Sequence, residues 1–414
     1  MITQIEVENY KSIEKLTLNL GRINIFIGEN GAGKSNMLEA VALAAATAAH
    51  KLDNEFLASR GIRVTNPEQM RTNFPESDVS ESIKISVMNS NGVSDRYKLE
   101  NDNKPYSKWR ARITPENIKF EEEEMTSLIL ELAESVKTTG ADSDKEETLE
   151  LLLAFRNAMK SQEKKDAKIS LPFSKMAAKF AQTLLAQDPK RIDAVEQLSN
   201  FVIYSPENTS LRTFEKVGQI EPLGINGEGL FKLLSVYAQK NGEETLNKVK
   251  ESLKVLDWFS DFHPLLNSTD ARIFIKDRYL APEISDFDHK SANEGFFFLL
   301  FYFLLFNSEL TPRFFAIDNI DASLNPKLCE KLVQELNQLA KNNNKQAILT
   351  THNPAVLDGL DLNDDEQRLF VVSRGRDGTT KVKRIHKPEP VNGNNLRLSE
   401  LFIRGLIGGL PKGF

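Results

Sequence analysis

GENGAGKS, residues 28–35, is the stretch on which the reading of this chain turns. It fits G-x-x-x-x-G-K-[ST] at every fixed position, follows the apolar run INIFI (23–27) and opens into the Ala-rich MLEAVALAAATAAHKL (37–52). Strand, glycine loop and helix in that order aim backbone N–H groups and a helix N-terminus at phosphate oxygens. The expected phosphate ligands are Asn30, Gly31, Ala32 and Gly33 of the loop, with Lys34 reaching the β and γ phosphates and the Ser35 hydroxyl ligating Mg²⁺. ATP and Mg²⁺ are therefore the expected cofactors.

Outward from the loop, helices and strands alternate. ITQIEVENY and LTLNLGRINIFIG read as strands, and SIKISVMNSNGVSDRYKL (82–99) carries an Asn-Gly pair between two alternating runs, a hairpin signal. Residues 120–200 change to charged amphipathic patterns broken at TTGADSDK, a helical insertion too short for a long coiled coil. FVIYSP (201–206) returns to strand, and EETLNKVKESLKVLDWF (243–259) reads as one helix. RFFAID, PKLCEKLVQELNQLAK, QAILTTH and RLFVVSRG then alternate strand and helix, which predicts a largely parallel sheet covered on both faces.

Composition sets limits on function. A net charge of −6 gives no overall attraction to nucleic acid or an anionic membrane, so DNA contact needs a local basic patch. One cysteine, Cys329, excludes an intrachain disulfide framework and a cysteine-based zinc site and fits a reducing cytoplasm. The N-terminal residues carry charge throughout, so no secretory leader is expected. FFFLLFYFLLF (296–306) falls well short of the ~20 residues that cross a bilayer and reads as a buried core helix. No membrane association is expected.

A bound Mg²⁺ needs an acid at the tip of a neighbouring buried strand, and Asp318, ending RFFAID, supplies it. IEVENYKSI before the phosphate loop, IDNIDASLNP (317–326) and ILTTHNPAVLD (348–358) together resemble the ATP-binding-cassette class shared by RecF and the SMC proteins. The resemblance covers roughly residues 1–50 and 290–375. It implies that Asn9, Tyr10 and Lys11 match an Asn-Phe-Lys/Arg pattern, with Lys11 near the nucleotide, and that His352 senses the γ-phosphate. It also implies two heads that sandwich ATP, each completed by a signature turn of the other. Asn293, Glu294 and Gly295 hold that position, with Asn293 where serine is usual unless Ser291 serves instead. Glu207 or Asn208 is the candidate for a residue linking the lobes. Relatives follow the metal-binding Asp with Glu, whereas here Asn319 follows Asp318. Asn319 cannot accept a proton, so slow hydrolysis is expected unless Asn319 orients water or Asp321 substitutes.

The expected fold is α/β: an ABC-type P-loop ATPase head with a mostly parallel sheet flanked by helices, an antiparallel hairpin lobe and a helical insertion. Its parts are an N-terminal half over 1–119, the insertion over 120–200 and a C-terminal half over 201–414. Compactness and the C-terminal LRLSELFIRGLIGGLPKGF resemble small phage-defence ATPases of Septu or PARIS type. That implies a homodimer or higher homo-oligomer controlling a separate effector, a nuclease or toxin. A RecF-like repair ATPase is the alternative, and KWRAR (108–112) and SRGRDGTTKVKRIHK (373–387) are the candidate DNA contacts.

Overall fold

The computed structural model describes residues 1–75, 77–116, 189–214, 216, 218–239, 242–267, 270–281, 284, 286–389 and 396–410. Two compact units divide the chain: residues 1–90, 95–114 and 196–414 form the first, and 91–94 with 115–195 the second. Most of the helical insertion expected over 120–200 lies outside the described residues.

In chain order the strands are β1 (Ile2–Tyr10), β2 (Ile13–Asn19), β3 (Ile23–Gly28), β4 (Ile83–Asn89), β5 (Ser94–Glu100), β6 (Arg110–Glu116), β7 (Ile203–Tyr204), β8 (Phe259–Asn267), β9 (Asp270–Asp277), β10 (Asp286–Asp288), β11 (Phe314–Ile317), β12 (Gln346–Thr351), β13 (Gln367–Arg374) and β14 (Thr380–Ile385). The helices are α1 (Lys34–Ala48), α2 (Asn54–Ser59), α3 (Pro67–Met70), α4 (Pro189–Ser199), α5 (Asn208–Leu211), α6 (Leu230–Gln239), α7 (Glu243–Leu253), α8 (Glu294–Asn307), α9 (Pro326–Asn342) and α10 (Leu398–Ile403).

A six-stranded sheet in the order β14-β13-β3-β12-β11-β7 carries the site. β13, β3, β12, β11 and β7 run parallel, and β14 closes one edge antiparallel to β13. β3, β11 and β12 are buried at every residue, as central parallel strands must be when both faces are covered. Because these three are parallel, their C-terminal ends emerge along one edge, where α/β sheets bind ligands. The phosphate loop follows β3, Asp318 follows β11 and His352 follows β12.

A second sheet, β2-β1-β4-β5-β6, contains the expected hairpin, and β8, β9 and β10 make a third. α1 packs against β1 and β4 on one side and β3 and β12 on the other. Its small alanines allow that double approach, and Ala40, Ala42, Ala44, Ala45 and Ala46 are all buried. Gln346 staples the sheets together: its amide accepts from Ile2 N at 2.9 Å and donates to Ile2 O at 2.6 Å and Gly21 O at 2.8 Å.

The Phe-rich run is helix α8, buried from Phe296 through Asn307. Its rings meet β7 and β11 edge-on, Phe301 with Tyr204 at 5.6 Å and Phe306 with Phe315 at 5.0 Å. Among the described residues no helix is long and apolar enough to cross a membrane. The helix expected over 243–259 ends at Leu253, because Phe259 instead starts β8 and packs its ring 5.9 Å from that of Phe296.

Candidate nucleotide site

The phosphate loop is built by close approach. A Cβ at Gly28 would lie 2.0 Å from the Val372 carbonyl oxygen, and one at Gly33 would lie 2.0 Å from Thr380 Oγ1. Gly31 and Gly33 have φ of 76° and 107°, the left-handed region that glycine enters without penalty. No side chain caps α1, so its first N–H groups stay available to an anion.

Lys34 is buried, and its Nζ donates to the carbonyls of Gly28 at 2.8 Å and Glu29 at 3.0 Å. Burial lowers its pKa to about 8, against the upward pull of Asp318, Glu29 and Asp321. A phosphate would supply the negative charge that this buried ammonium lacks.

Thr380 braces the loop from β14. Its hydroxyl donates to Ala32 O at 3.0 Å and shares a 2.7 Å hydrogen bond with Ser12 Oγ, which accepts from Asn36 Nδ2 at 2.7 Å. The basic stretch 373–387 thus contributes a loop-supporting residue. Some of its charge is matched internally, Lys381 with Asp377 at 3.5 Å and Arg384 with Asp365 at 2.5 Å.

Ser35 and Asp318, 283 residues apart in sequence, meet where Ser35 Oγ donates to Asp318 Oδ2 at 3.1 Å. Thr350 donates to the other oxygen of Asp318 and accepts from Asn319 N at 3.0 Å. A hydroxyl and a carboxylate so placed are hard oxygen ligands that fit Mg²⁺. Asn319 takes a left-handed backbone, φ 57°, and its residue is exposed. Thr351 Oγ1 donates to Asp321 Oδ1 at 2.6 Å. His352 is exposed at its strand end, yet protein packed around it and the Lys34 charge hold its pKa below the ordinary imidazole value. Asp321, Asp318 and a hydrogen bond with the Gly28 backbone act in the opposite direction.

Lys11, with φ 47°, forms an ion pair with Glu39, rather than with the loop, and donates to Arg63 O at 3.1 Å. Glu39 is buried and also accepts from Arg63 Nε at 2.5 Å and Tyr10 OH at 3.1 Å. Beside the loop lies a cavity of about 420 Å³ lined by Lys11, Ser12, Asn36, Arg63, Phe74 and Arg374 among others. Arg63, Glu39, Thr350 and Thr380 escape a sequence reading because their roles come from long-range contacts. The TT pair before His352 was the available hint.

The signature candidates form a separate cluster. Asn293 caps α8 by accepting from Phe296 N at 2.9 Å. Glu294 accepts from Asn208 Nδ2 at 2.8 Å and from Ser323 Oγ at 2.9 Å, and a Gly295 Cβ would lie 3.3 Å from Ser323 O. Among the described residues no hydrogen bond joins Asn293, Glu294 or Gly295 to the phosphate loop of the same chain. Of the two lobe-linking candidates, Asn208 reaches Glu294, whereas Glu207 makes a backbone bond to Asn226 O at 2.9 Å.

Together the parallel sheet, the phosphate loop and the strand-end acid define a P-loop ATPase head. Residues 1–357 match the family model for the AAA ATPase domain, and the chain belongs to that family. It is similar to an SMC head solved bound to the C-winged helix domain of ScpA, with 15% identity, 93% of this chain and 98% of that one covered, and a TM-score of 0.53. A lower TM-score, 0.45 at 13% identity, relates it to the SMC head domain from Thermotoga maritima, over 93% of this chain and 99% of that one. DNA replication and repair protein RecF from Bacillus thuringiensis (strain Al Hakam) is 38% identical over 55 residues, 13% of this chain and 15% of the relative's length. RecF from Bacillus cereus (strain B4264) matches to the same extent.

Proposed function

We propose that the chain is a nucleotide-held switch that binds MgATP between two copies of itself, turns it over slowly and thereby holds or releases a separate effector protein in antiviral defence. One observation carries the slow-turnover reading. The Ser35 and Asp318 pair that would hold the metal is assembled, while the position beside it is an exposed amide, Asn319, with no carboxylate. Mg²⁺ held by Ser35 and Asp318 would offset phosphate charge. Asp321 and His352 are the residues placed to orient a water, and Asp321 is the one able to accept its proton.

The sandwich is supported by separation within one chain. Glu294 bonds to Ser323 and Asn208, Asn293 caps α8, and among the described residues neither they nor Gly295 bond to their own phosphate loop, which leaves this turn for the nucleotide of a second copy. The cationic cavity at Arg63 and Arg374 suits the nucleoside. The defence assignment rests on likeness to compact Septu- and PARIS-type ATPases and would place the protein in the cytoplasm.

Sedimentation with and without MgATP tests the switch. Wild type is expected to shift from monomer to dimer or higher homo-oligomer on adding ATP, and Lys34→Ala to lose the shift; ATP-independent mass in both refutes the reading. A RecF-like role in DNA repair is supported by the short RecF match. ATP-stimulated, salt-sensitive DNA binding would favour that role, and co-purification of an effector would favour defence.

A further inference from the structure

A pocket of about 1030 Å³ lies outside the nucleotide site, between the start of α2, the approach to α3 and the loop from Asn101 to Trp109. It is larger than most small-ligand pockets, which run to roughly 1,000 Å³. Its walls include Trp109, Tyr106, Lys104, Lys108, Asp53 and Glu68.

The loop is held in place from below. Arg71 is fully buried, and its guanidinium donates to Asn103 Oδ1 at 2.5 Å and Asn101 O at 2.7 Å while lying 5.0 Å over the Trp109 ring. Asn101 Oδ1 in turn accepts from Ser107 Oγ at 2.5 Å and Asn103 N at 2.9 Å, and among the described residues the buried Asn101 Nδ2 has no partner. Lys104 to Ser107 closes a turn by Ser107 N donating to Lys104 O at 3.1 Å. Tyr106, third in that turn, has φ 63°, a conformation normally given to glycine there, and it is entirely exposed. A bulky aromatic is thus presented to solvent by a strained backbone on a fixed loop.

Charge follows the aromatics. Lys104, Lys108, Arg110 and Arg112 are exposed and interleave with Tyr106 and Trp109, and no acid occurs from 103 to 114. Aromatic faces beside a cationic track are the physical means of holding a base by stacking and its phosphate by charge. Asp53 and Glu68 disfavour phosphate inside the cavity, so the base enters and the phosphate stays at the lysine rim.

We propose that the Asn101–Trp109 loop and the cavity beneath it form a second binding site, separate from the phosphate loop, that takes a planar nucleobase by stacking on Trp109 and Tyr106. The base can belong to a free nucleotide or to a single-stranded nucleic acid following Lys108, Arg110 and Arg112.

The test follows Trp109 emission in full-length protein carrying Trp258→Phe, with excess magnesium tripolyphosphate, which carries no base, filling the phosphate loop. The probes are adenosine monophosphate and a short oligothymidylate. Quenching by either is expected, with affinity weakened about tenfold by Tyr106→Gly, in line with loss of one base stack. Glycine suits the backbone at 106, so that variant keeps its fold. Anisotropy of the labelled oligonucleotide with Trp109→Ala gives a readout independent of emission. Saturation by the oligonucleotide alone assigns a strand, and saturation by the mononucleotide assigns a free nucleotide; both support the site. Neither probe quenching, or Tyr106→Gly binding like its parent, overturns it. Lys34→Ala is expected to leave this binding intact, so failure here is distinct from failure of the ATP switch.

Discussion

Thr350 binds Asn319 and Asp318 at once: its hydroxyl accepts the Asn319 N–H at 3.0 Å and donates to the Asp318 carboxylate. One fully buried side chain therefore fixes both the acid proposed to hold the metal and the residue that follows it.

Thr350→Val keeps the shape and removes both bonds. Losing a hydrogen bond to a charged group costs about 1.5–3 kcal/mol. The fold is expected to persist, while the Mg²⁺ concentration needed for half-maximal ATP binding rises about tenfold. Equilibrium binding of a fluorescent ATP analogue across a Mg²⁺ series measures this. An unchanged Mg²⁺ midpoint would show that Asp318 is placed without Thr350.

Turnover should respond to the residues beside Asp318. A positioned general base contributes about 10²- to 10⁴-fold. Asn319→Glu supplies a carboxylate, but the left-handed backbone there suits asparagine better than glutamate. The gain in single-turnover hydrolysis should therefore fall at the low end, about tenfold to a hundredfold. Asp321→Ala should abolish the residual wild-type rate if Asp321 accepts the proton. Brisk wild-type hydrolysis that is lost in Asp321→Ala would replace the slow switch with an ordinary ATPase using Asp321.

Lys34 gives affinity and stability opposite pH dependences. Burial lowers its pKa from 10.5 to about 8, so the free site loses this proton as pH rises through 8. Bound phosphate favours the charged form, so above that pH binding takes up a proton and affinity falls by up to about tenfold per unit. Below about pH 8 this dependence vanishes. Between 8 and 10.5 the unfolded chain binds more protons than the free folded one, so the Lys34 contribution makes the nucleotide-free protein more stable as pH rises. Calorimetric titration in buffers of different ionisation enthalpy should show proton uptake near pH 9, and Lys34→Met should not.

Local patterns made much of this legible. Apolar-rich stretches marked β3, β11 and β12, and strand-loop-helix around Gly28–Ser35 marked the phosphate loop. The sheet of β8 to β10 was hidden because FSDFHPLLN mixes charge with Pro264 and has no clean alternation. The helix that ends at Leu253 reads onward to Phe259 by periodicity, whereas in the fold Phe259 opens β8 and packs against Phe296. Thr380 supports Ala32 across 348 residues, and Thr350 supports Asp318 across 32. Such pairings follow from strand order, which no window of sequence contains.

Two loop glycines should separate crowding from backbone strain. Gly28→Ala places its Cβ 2.0 Å from a carbonyl of β13, which cannot retreat without opening the β3–β13 ladder. A loss of about 3 kcal/mol in urea unfolding is expected, the upper range for overpacking. Gly31→Ala meets nothing within 4 Å and pays only for φ of 76°, about 1 kcal/mol. Equal losses would mean that the β3–β13 approach is slack.

Glu294 places a carboxylate in the first turn of α8, where the partner's phosphate is proposed to arrive. Its oxygens are engaged by Asn208 and Ser323, so in the free chain it fixes the loop after Asp321. The same charge favours the helix N-terminus and repels an incoming phosphate. Glu294→Gln keeps the size, retains one carbonyl acceptor and removes the repulsion. ATP-dependent association measured by sedimentation should tighten, about tenfold for one like-charge contact near a protein surface. Weaker association in Glu294→Gln would mean that the ordered Ser323 loop, and not the charge, governs assembly. A double variant with Ser323→Ala distinguishes these, because loss of loop order weakens assembly in both backgrounds, whereas relief of charge survives without the serine.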